Sequence, residues 1–188
     1  NFPELRAELE ALGRQFSCES DSEVALQAFA AWGRESFKRL HGMFAFALYD
    51  HLTQELWLVR DRLGIKPLYY AVLPDRVLFA SELKALLPQM PKVELHEGAL
   101  AQYFQNQYST GEDTIVRGIR RVPAGHALRI DARLGIERQR WWSALDVAPR
   151  KLDQRQALEE WEPLIAQVMR EHVRSDVPYG LFLSGGVD

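Results

Sequence analysis

One cysteine in 188 residues, Cys18, excludes an internal disulfide. No arginine-rich or apolar segment opens the sequence as given, so a reducing cytoplasm is the expected setting. Apolar runs such as residues 43–48 are far too short to cross a bilayer, and no membrane association is expected. Positive charge is not in excess: 23 Lys and Arg are spread among 26 Asp and Glu, for a net charge of −3, without forming a basic face. That argues against nucleic acid as a partner. The five histidines keep no metal-ligand spacing with Cys18, so no metal site made of protein ligands is expected. A Gly-x-x-x-x-Gly-Lys-Ser/Thr segment is missing too, which removes the lysine that would reach β and γ phosphates.

The 47% hydrophobic and 26% charged content is that of a globular chain with a real core. Leu5, Leu9 and Leu12 recur at helical spacing and Gly13 stops them, which predicts a short helix over residues 2–12. Ser20-Asp-Ser-Glu23 has the form of a capping box ahead of Val24, Leu26, Ala28, Phe29 and Trp32, and predicts a second helix. From Gly42 the signal turns to strands at residues 43–49, 56–60, 68–73 and 77–80, with short connections that suggest an antiparallel meander. The near-continuous apolarity of residues 43–48 predicts burial on both faces. A helical turn is expected before Pro88, a helix over residues 97–105, and a strand over 127–130. Pro149 marks a linker at residues 147–152, which divides residues 1–146 from 153–188. In the second part Asp153 suits an N-cap, and Leu158, Trp161, Ile165, Val168 and Met169 keep helical spacing. Pro163 should kink that helix or delay its start.

The C-terminal residues carry the most chemistry. An apolar strand, Leu181-Phe-Leu183, runs into Ser184-Gly-Gly186, and paired glycines leave successive backbone N–H groups open to an anion such as pyrophosphate. Helix, strand and glycine loop in that order open an α/β unit, whose ligands bind at the carboxyl ends of strands. Without a P-loop lysine, a pyrophosphate-releasing reaction fits better than γ-phosphoryl transfer.

Residues 176–188, Asp-Val-Pro-Tyr-Gly-Leu-Phe-Leu-Ser-Gly-Gly-Val-Asp, resemble the start of the pyrophosphatase-type ATP loop, or PP-loop, of glutamine-hydrolysing asparagine synthetases. Leu40-His-Gly-Met-Phe-Ala-Phe-Ala-Leu-Tyr-Asp50, Arg60-Asp-Arg-Leu-Gly-Ile-Lys-Pro-Leu-Tyr-Tyr70 and Phe79-Ala-Ser-Glu-Leu-Lys-Ala-Leu86 resemble three segments of that family's glutaminase domain, in the right order. The resemblance implies an α+β fold: an incomplete antiparallel sandwich of the N-terminal-nucleophile hydrolase type, then the first helix and strand of a PP-loop domain. It implies ammonia release from glutamine and activation of aspartate as an aspartyl-adenylate, hence ATP and Mg²⁺. Small molecules (glutamine, aspartate and ATP) are the implied partners, and a homodimer is compatible with the family.

Residue by residue, the resemblance carries Asp21 over as the carboxylate that holds the α-amino group of glutamine, and Leu183, Ser184, Gly185, Gly186 and Asp188 as ATP-binding. For Asp21 the bland alternative is an acidic residue favoured by the positive end of a helix. The family's nucleophile is an N-terminal cysteine, and an Asn-Gly pair stabilises the oxyanion. Neither lies in these residues; Asn1 matches the end of the segment with that pair, so no catalytic residue is assigned and the 188 residues alone are expected to be inactive. Cys18 is internal, cannot use its own α-amino group as a base, and reads as a small apolar residue before a helix. Arg60, Asp61 and Gly64 read as structural, and Phe44, Phe46, Tyr69 and Tyr70 as core. Pro163 departs from the family's helix, and Val122-Pro-Ala-Gly125 from its more usual Pro-Pro-Gly form. Two other readings stay open: a β-lactam-synthetase-like enzyme without glutaminase chemistry, and a stand-alone binding module.

Overall fold

The fold is that of a computed structural model, which describes residues 1–175, 177–183 and 185. Two compact units form, Asn1–Val147 and Ala148–Asp188.

The first unit begins with a helical hairpin. In α1 (Phe2–Ala11) Leu5 and Leu9 lie one turn apart and are buried against Val24 and Ala28 of α2 (Asp21–Trp32). Gly13 takes φ +82°, a left-handed value that ends the first helix without a Cβ penalty. A short helix α3 (Ser36–Arg39) follows. The strands are β1 (Ala45–Asp50), β2 (Glu55–Arg60), β3 (Tyr69–Val72), β4 (Val77–Ala80), β5 (Ile119–Arg121), β6 (His126–Ile130) and β7 (Ile136–Arg140). Between β4 and β5 lie α4 (Leu83–Leu86) and α5 (Glu97–Asn106).

All strand pairs are antiparallel, but the expected meander does not form. The strands divide into two sheets, ordered β1-β2-β6-β7 and β4-β3-β5. The physical reason lies between β2 and β3, where residues 61–68 carry the chain from one sheet to the other instead of reversing it within one. Side chains alternate accordingly. In β2, Leu58 joins Leu68, Tyr70, Val122, Leu128 and Ile130 between the sheets. Its neighbours Trp57 and Val59 face the other way, into a cluster with Phe37 of α3 and Phe29 of α2. In β3, Tyr70 faces the first sheet while Tyr69 and Ala71 pack with Leu83 and Leu86 of α4. Helices, sheet, sheet and helix therefore stack in layers. Burial on both faces holds for Trp57, Leu58 and Val59 in the interior strand β2, but not for β1, where Ala47 and Tyr49 are exposed because β1 is an edge.

A polar clasp ties the two sheets at one end. The Arg60 guanidinium, at the end of β2, donates to the carbonyls of Lys66 (2.8 Å), Val122 (2.7 Å) and Gly64 (2.7 Å). Asp61, 1% exposed, accepts from the backbone N–H groups of Leu63 (3.2 Å), Ile65 (2.9 Å) and Lys66 (2.9 Å). Its carbonyl accepts from Gly125 N at 2.8 Å, and Gly125 in turn receives Trp141 N at 2.9 Å. Gly125 has φ +65°, and a Cβ there would stand 2.4 Å from the Trp142 carbonyl oxygen. Only glycine fits.

The second unit contains α6 (Gln154–His172), opened by a reciprocal cap: Gln156 N donates to Asp153 at 2.8 Å, and Asp153 N to the Gln156 side chain at 3.1 Å. Pro163 lies inside this helix and does not delay its start, one of the two effects expected of it. The cap and pairs one turn apart, such as Arg155 with Glu159 at 2.8 Å, add local support to the helix. The strand expected at residues 181–183 is absent, and Leu181, Phe182 and Leu183 are exposed. A strand needs a ladder partner, and no strand lies among the described residues of this unit.

Asp61→Ala is expected to destabilise the protein by about 3 kcal/mol or more, since three part-buried backbone N–H groups lose a charged acceptor and a hydrogen bond to a charged group contributes about 1.5–3 kcal/mol. Urea unfolding followed by tryptophan fluorescence measures it, and a loss below about 1 kcal/mol would show that the clasp is dispensable.

Candidate functional site

Ser20 is the N-cap of α2, and its hydroxyl accepts from Ser22 N at 3.1 Å. Asp21 is thereby the first helical residue, exposed on the first turn. Among the described contacts its carboxylate accepts one hydrogen bond, from the Ser22 hydroxyl at 3.3 Å.

The capping box implied by Ser20 and Glu23 does not close. Instead of reaching Ser20 N, the Glu23 carboxylate turns back to the loop ahead of the helix. It accepts from Ser17 N (2.9 Å), the Ser17 hydroxyl (2.9 Å), Cys18 N (2.8 Å) and the Cys18 thiol (3.0 Å). These donors hold its pKa down at about 2, the thiol contributing most and the two backbone N–H groups next. Arg6 reaches the same loop from α1, donating to the Cys18 carbonyl at 2.8 Å while its guanidinium lies 4.5 Å over the Phe16 ring. Cys18 is thus exposed and hydrogen-bonded, not the apolar filler its neighbourhood in sequence suggested. Asn1 is fixed beside the helical hairpin, its side chain accepting from His41 N at 2.8 Å and donating to the Arg39 carbonyl at 3.1 Å.

Arg60, Asp61 and Gly64 are used within the inter-sheet clasp, with Gly64 at φ +67°. Phe44, Phe46, Tyr69 and Tyr70 sit in or against the core clusters.

In the second unit Leu183 is exposed. Gly185 has φ +76°, a left-handed backbone, with no atom within 4 Å of the place a Cβ would take. Ser184, Gly186 and Asp188 lie outside the described residues. Among the described residues no three His, Cys, Asp or Glu side chains gather to hold a metal. No helix among them is long and apolar enough to cross a membrane.

A cleft of about 870 Å³ opens elsewhere in the first unit, between α2 and the outer face of the four-stranded sheet, over Phe29, Leu48 and Trp57. Arg129 on its rim is engaged by Glu55 at 2.5 Å and Glu137 at 2.9 Å, which raise its pKa. The cleft does not include Asp21.

Residues 1–142 match the family model of the glutamine amidotransferase domain. The chain belongs to the glutamine amidotransferase family. Residues 160–188 match a second family model, asparagine synthase. Asparagine synthetase [glutamine-hydrolyzing] 1 of Bacillus subtilis is 36% identical over 188 residues, covering all of this chain and 30% of that protein. A putative asparagine synthetase [glutamine-hydrolyzing] of Mycobacterium tuberculosis is 37% identical, again over all of this chain and 30% of the relative. Asparagine synthetase B of Escherichia coli is 35% identical over 93% of this chain and 26% of its own length. The chain thus spans under a third of these relatives. Among solved structures, glutamine phosphoribosylpyrophosphate amidotransferase of B. subtilis superposes with a TM-score of 0.50 at 21% identity, over 74% of this chain and 26% of that one. An allosteric regulatory enzyme of purine biosynthesis gives 0.52 at 22% identity, over 76% and 26%. These likenesses concern the fold alone, an α+β arrangement of antiparallel sheets and helices.

The Glu23 carboxyl sets a pH dependence for the loop. A pKa lowered from 4.5 to about 2 contributes stability that is full above about pH 4.5 and is lost as pH falls towards 2. Amide exchange at Ser17 and Cys18, corrected for intrinsic rate, should lose protection across that window. The Glu23→Gln protein should show a flat profile over the same range, and an unchanged pH response in that variant would assign the effect to another group.

Proposed function

We propose that these residues belong to a longer glutamine-dependent asparagine synthetase, which releases ammonia from glutamine and adds it to an aspartyl-adenylate formed with ATP in the cytoplasm. The observation that carries this reading is the continuity of the match: relatives named for that activity align across the whole chain, through both family models. In this reading residues 1–146 are the C-terminal part of the glutaminase domain, 147–152 a linker and 153–188 the start of the ATP-binding synthetase domain.

Asp21 would bind the α-ammonium of glutamine. Its exposure on the first turn of α2, with one weak internal hydrogen bond, supports this, because the remaining carboxylate lone pairs are available to a substrate cation. A charge-assisted contact of that kind is worth roughly 1.5–3 kcal/mol. ATP, when bound, supplies the AMP leaving group that makes a carboxylate oxygen displaceable. Leu183, Ser184, Gly185, Gly186 and Asp188 would line its phosphates. The positive φ of Gly185 and the open space beside it fit close approach of an anion to the backbone. Mg²⁺ would arrive with the nucleotide's phosphates.

In the full-length enzyme, Asp21→Asn should weaken apparent glutamine affinity by about ten- to a hundredfold while synthesis from free ammonia stays nearly intact. Steady-state kinetics with each nitrogen donor decides it. Equal loss with both donors would make Asp21 a helix-start residue only. Gly185→Val, forced into a left-handed backbone and filling the open space, should cut ATP-dependent synthesis strongly and spare glutamine hydrolysis. A folded variant with normal synthesis would reduce the glycine pair to a turn.

A further inference from the structure

We propose that Glu23 is a positioning residue for glutamine: by gathering the Ser17 and Cys18 donors it fixes the path by which the chain enters α2, and so fixes Asp21. The inference rests on the reading of Asp21 as the ammonium-binding carboxylate. The exposed start of a helix on a polar loop has little apolar burial to hold it, and position there must come from directional contacts. Within residues 13–20 Phe16 packs against the hairpin core of Leu5, Leu9, Val24 and Ala28, and the other anchors are directional contacts of that kind. Gln27 donates to the Gln15 carbonyl at 3.4 Å and Arg14 to the Ala30 carbonyl at 3.2 Å, both at the far side of the loop from Asp21. Nearest the site, Cys18 is held from both directions: its carbonyl by Arg6 at 2.8 Å, its N–H and thiol by Glu23 at 2.8 and 3.0 Å. Glu23 itself sits two residues after Asp21 on the same first turn. The carboxylate therefore links the incoming loop rigidly to the turn that displays Asp21.

Such linkage differs from ordinary support of the fold. The core of the hairpin, Leu5, Leu9, Val24 and Ala28, does not involve Glu23. Removing the carboxylate leaves α2 formed but frees the loop to shift, and Asp21 with it. A displacement of about 1 Å between a binding group and its substrate is enough to lose much of a directional contact.

A double-mutant cycle in the full-length enzyme tests this, read as KM for glutamine in the glutaminase reaction. Glu23→Ala should raise KM roughly tenfold with little change in kcat, and Glu23→Gln, which keeps one acceptor oxygen, should fall between it and the parent. In an Asp21→Asn background the same Glu23→Ala change should add less than about twofold, because a residue acting through Asp21 has nothing left to position. Glutaramate, which is glutamine without its α-amino group, should likewise be hydrolysed equally by parent and Glu23→Ala proteins. Circular dichroism and thermal melting keep the reading clear of misfolding. An equal KM penalty in both backgrounds, or the same penalty on glutaramate, overturns the positioning role and leaves the Asp21 reading standing. No penalty from Asp21→Asn alone overturns both.

Discussion

The sandwich depends on two changes of sheet, from β2 to β3 and back from β5 to β6. Between β2 and β3 the chain leaves one layer and enters the other, and the buried Asp61 carboxylate makes that passage tolerable by accepting three backbone N–H groups of the connecting segment. Arg60 satisfies carbonyls of the same segment and of Val122, which closes β5 against it. These side chains hold the part-buried backbone of the crossing in one geometry beside an apolar interface, and that interface of Leu58, Leu68, Tyr70, Val122, Leu128 and Ile130 is what joins the layers. Gly125 completes the arrangement by letting the Trp142 carbonyl approach where a side chain would stand.

The candidate glutamine site obeys a different physics. It lies on the helical hairpin outside the sheets, on an exposed first turn held by charge-assisted hydrogen bonds. Apolar burial fixes where α2 lies, through Val24 and Ala28, while Glu23 fixes how the loop joins it. The rigid scaffold and the polar display are thus built by separate residues on one helix.

Local signals in the sequence anticipated what local forces decide. The stop at Gly13, the N-cap Ser20, the strands ending at Arg60 and Ala80, and the cap at Asp153 each rest on a few neighbouring residues, and each stands in the structure. What escaped depends on distant partners. Strand β7, Ile-Glu-Arg-Gln-Arg, has no apolar alternation because it is an edge pairing only with β6, and β5 is three residues long with two arginines. The apolar run Leu181-Phe-Leu183 carries a strand pattern yet forms none, since pattern alone supplies no ladder. At the candidate site, Asp21 was singled out only through family resemblance; its helix-start position is equally that of a capping acid. The use of Glu23 was hidden by a better-known motif, because the Ser-x-x-Glu form names an acceptor near the N-cap but not the returning loop that competes for it.

The pairing scheme also fixes the order in which the structure can be assembled. The β1-β2 and β3-β4 hairpins close short loops, whereas β2 must find β6, with Trp57 opposite Arg129, and β3 must find β5, with Tyr70 opposite Arg120. Both long-range pairings wait on the segment between β4 and β5 being wound into place, so the entropy of closing that loop is lost before the inter-sheet contacts return it. The two-sheet unit therefore closes its long-range pairings last, and its hairpins spend part of their folding time with open edges.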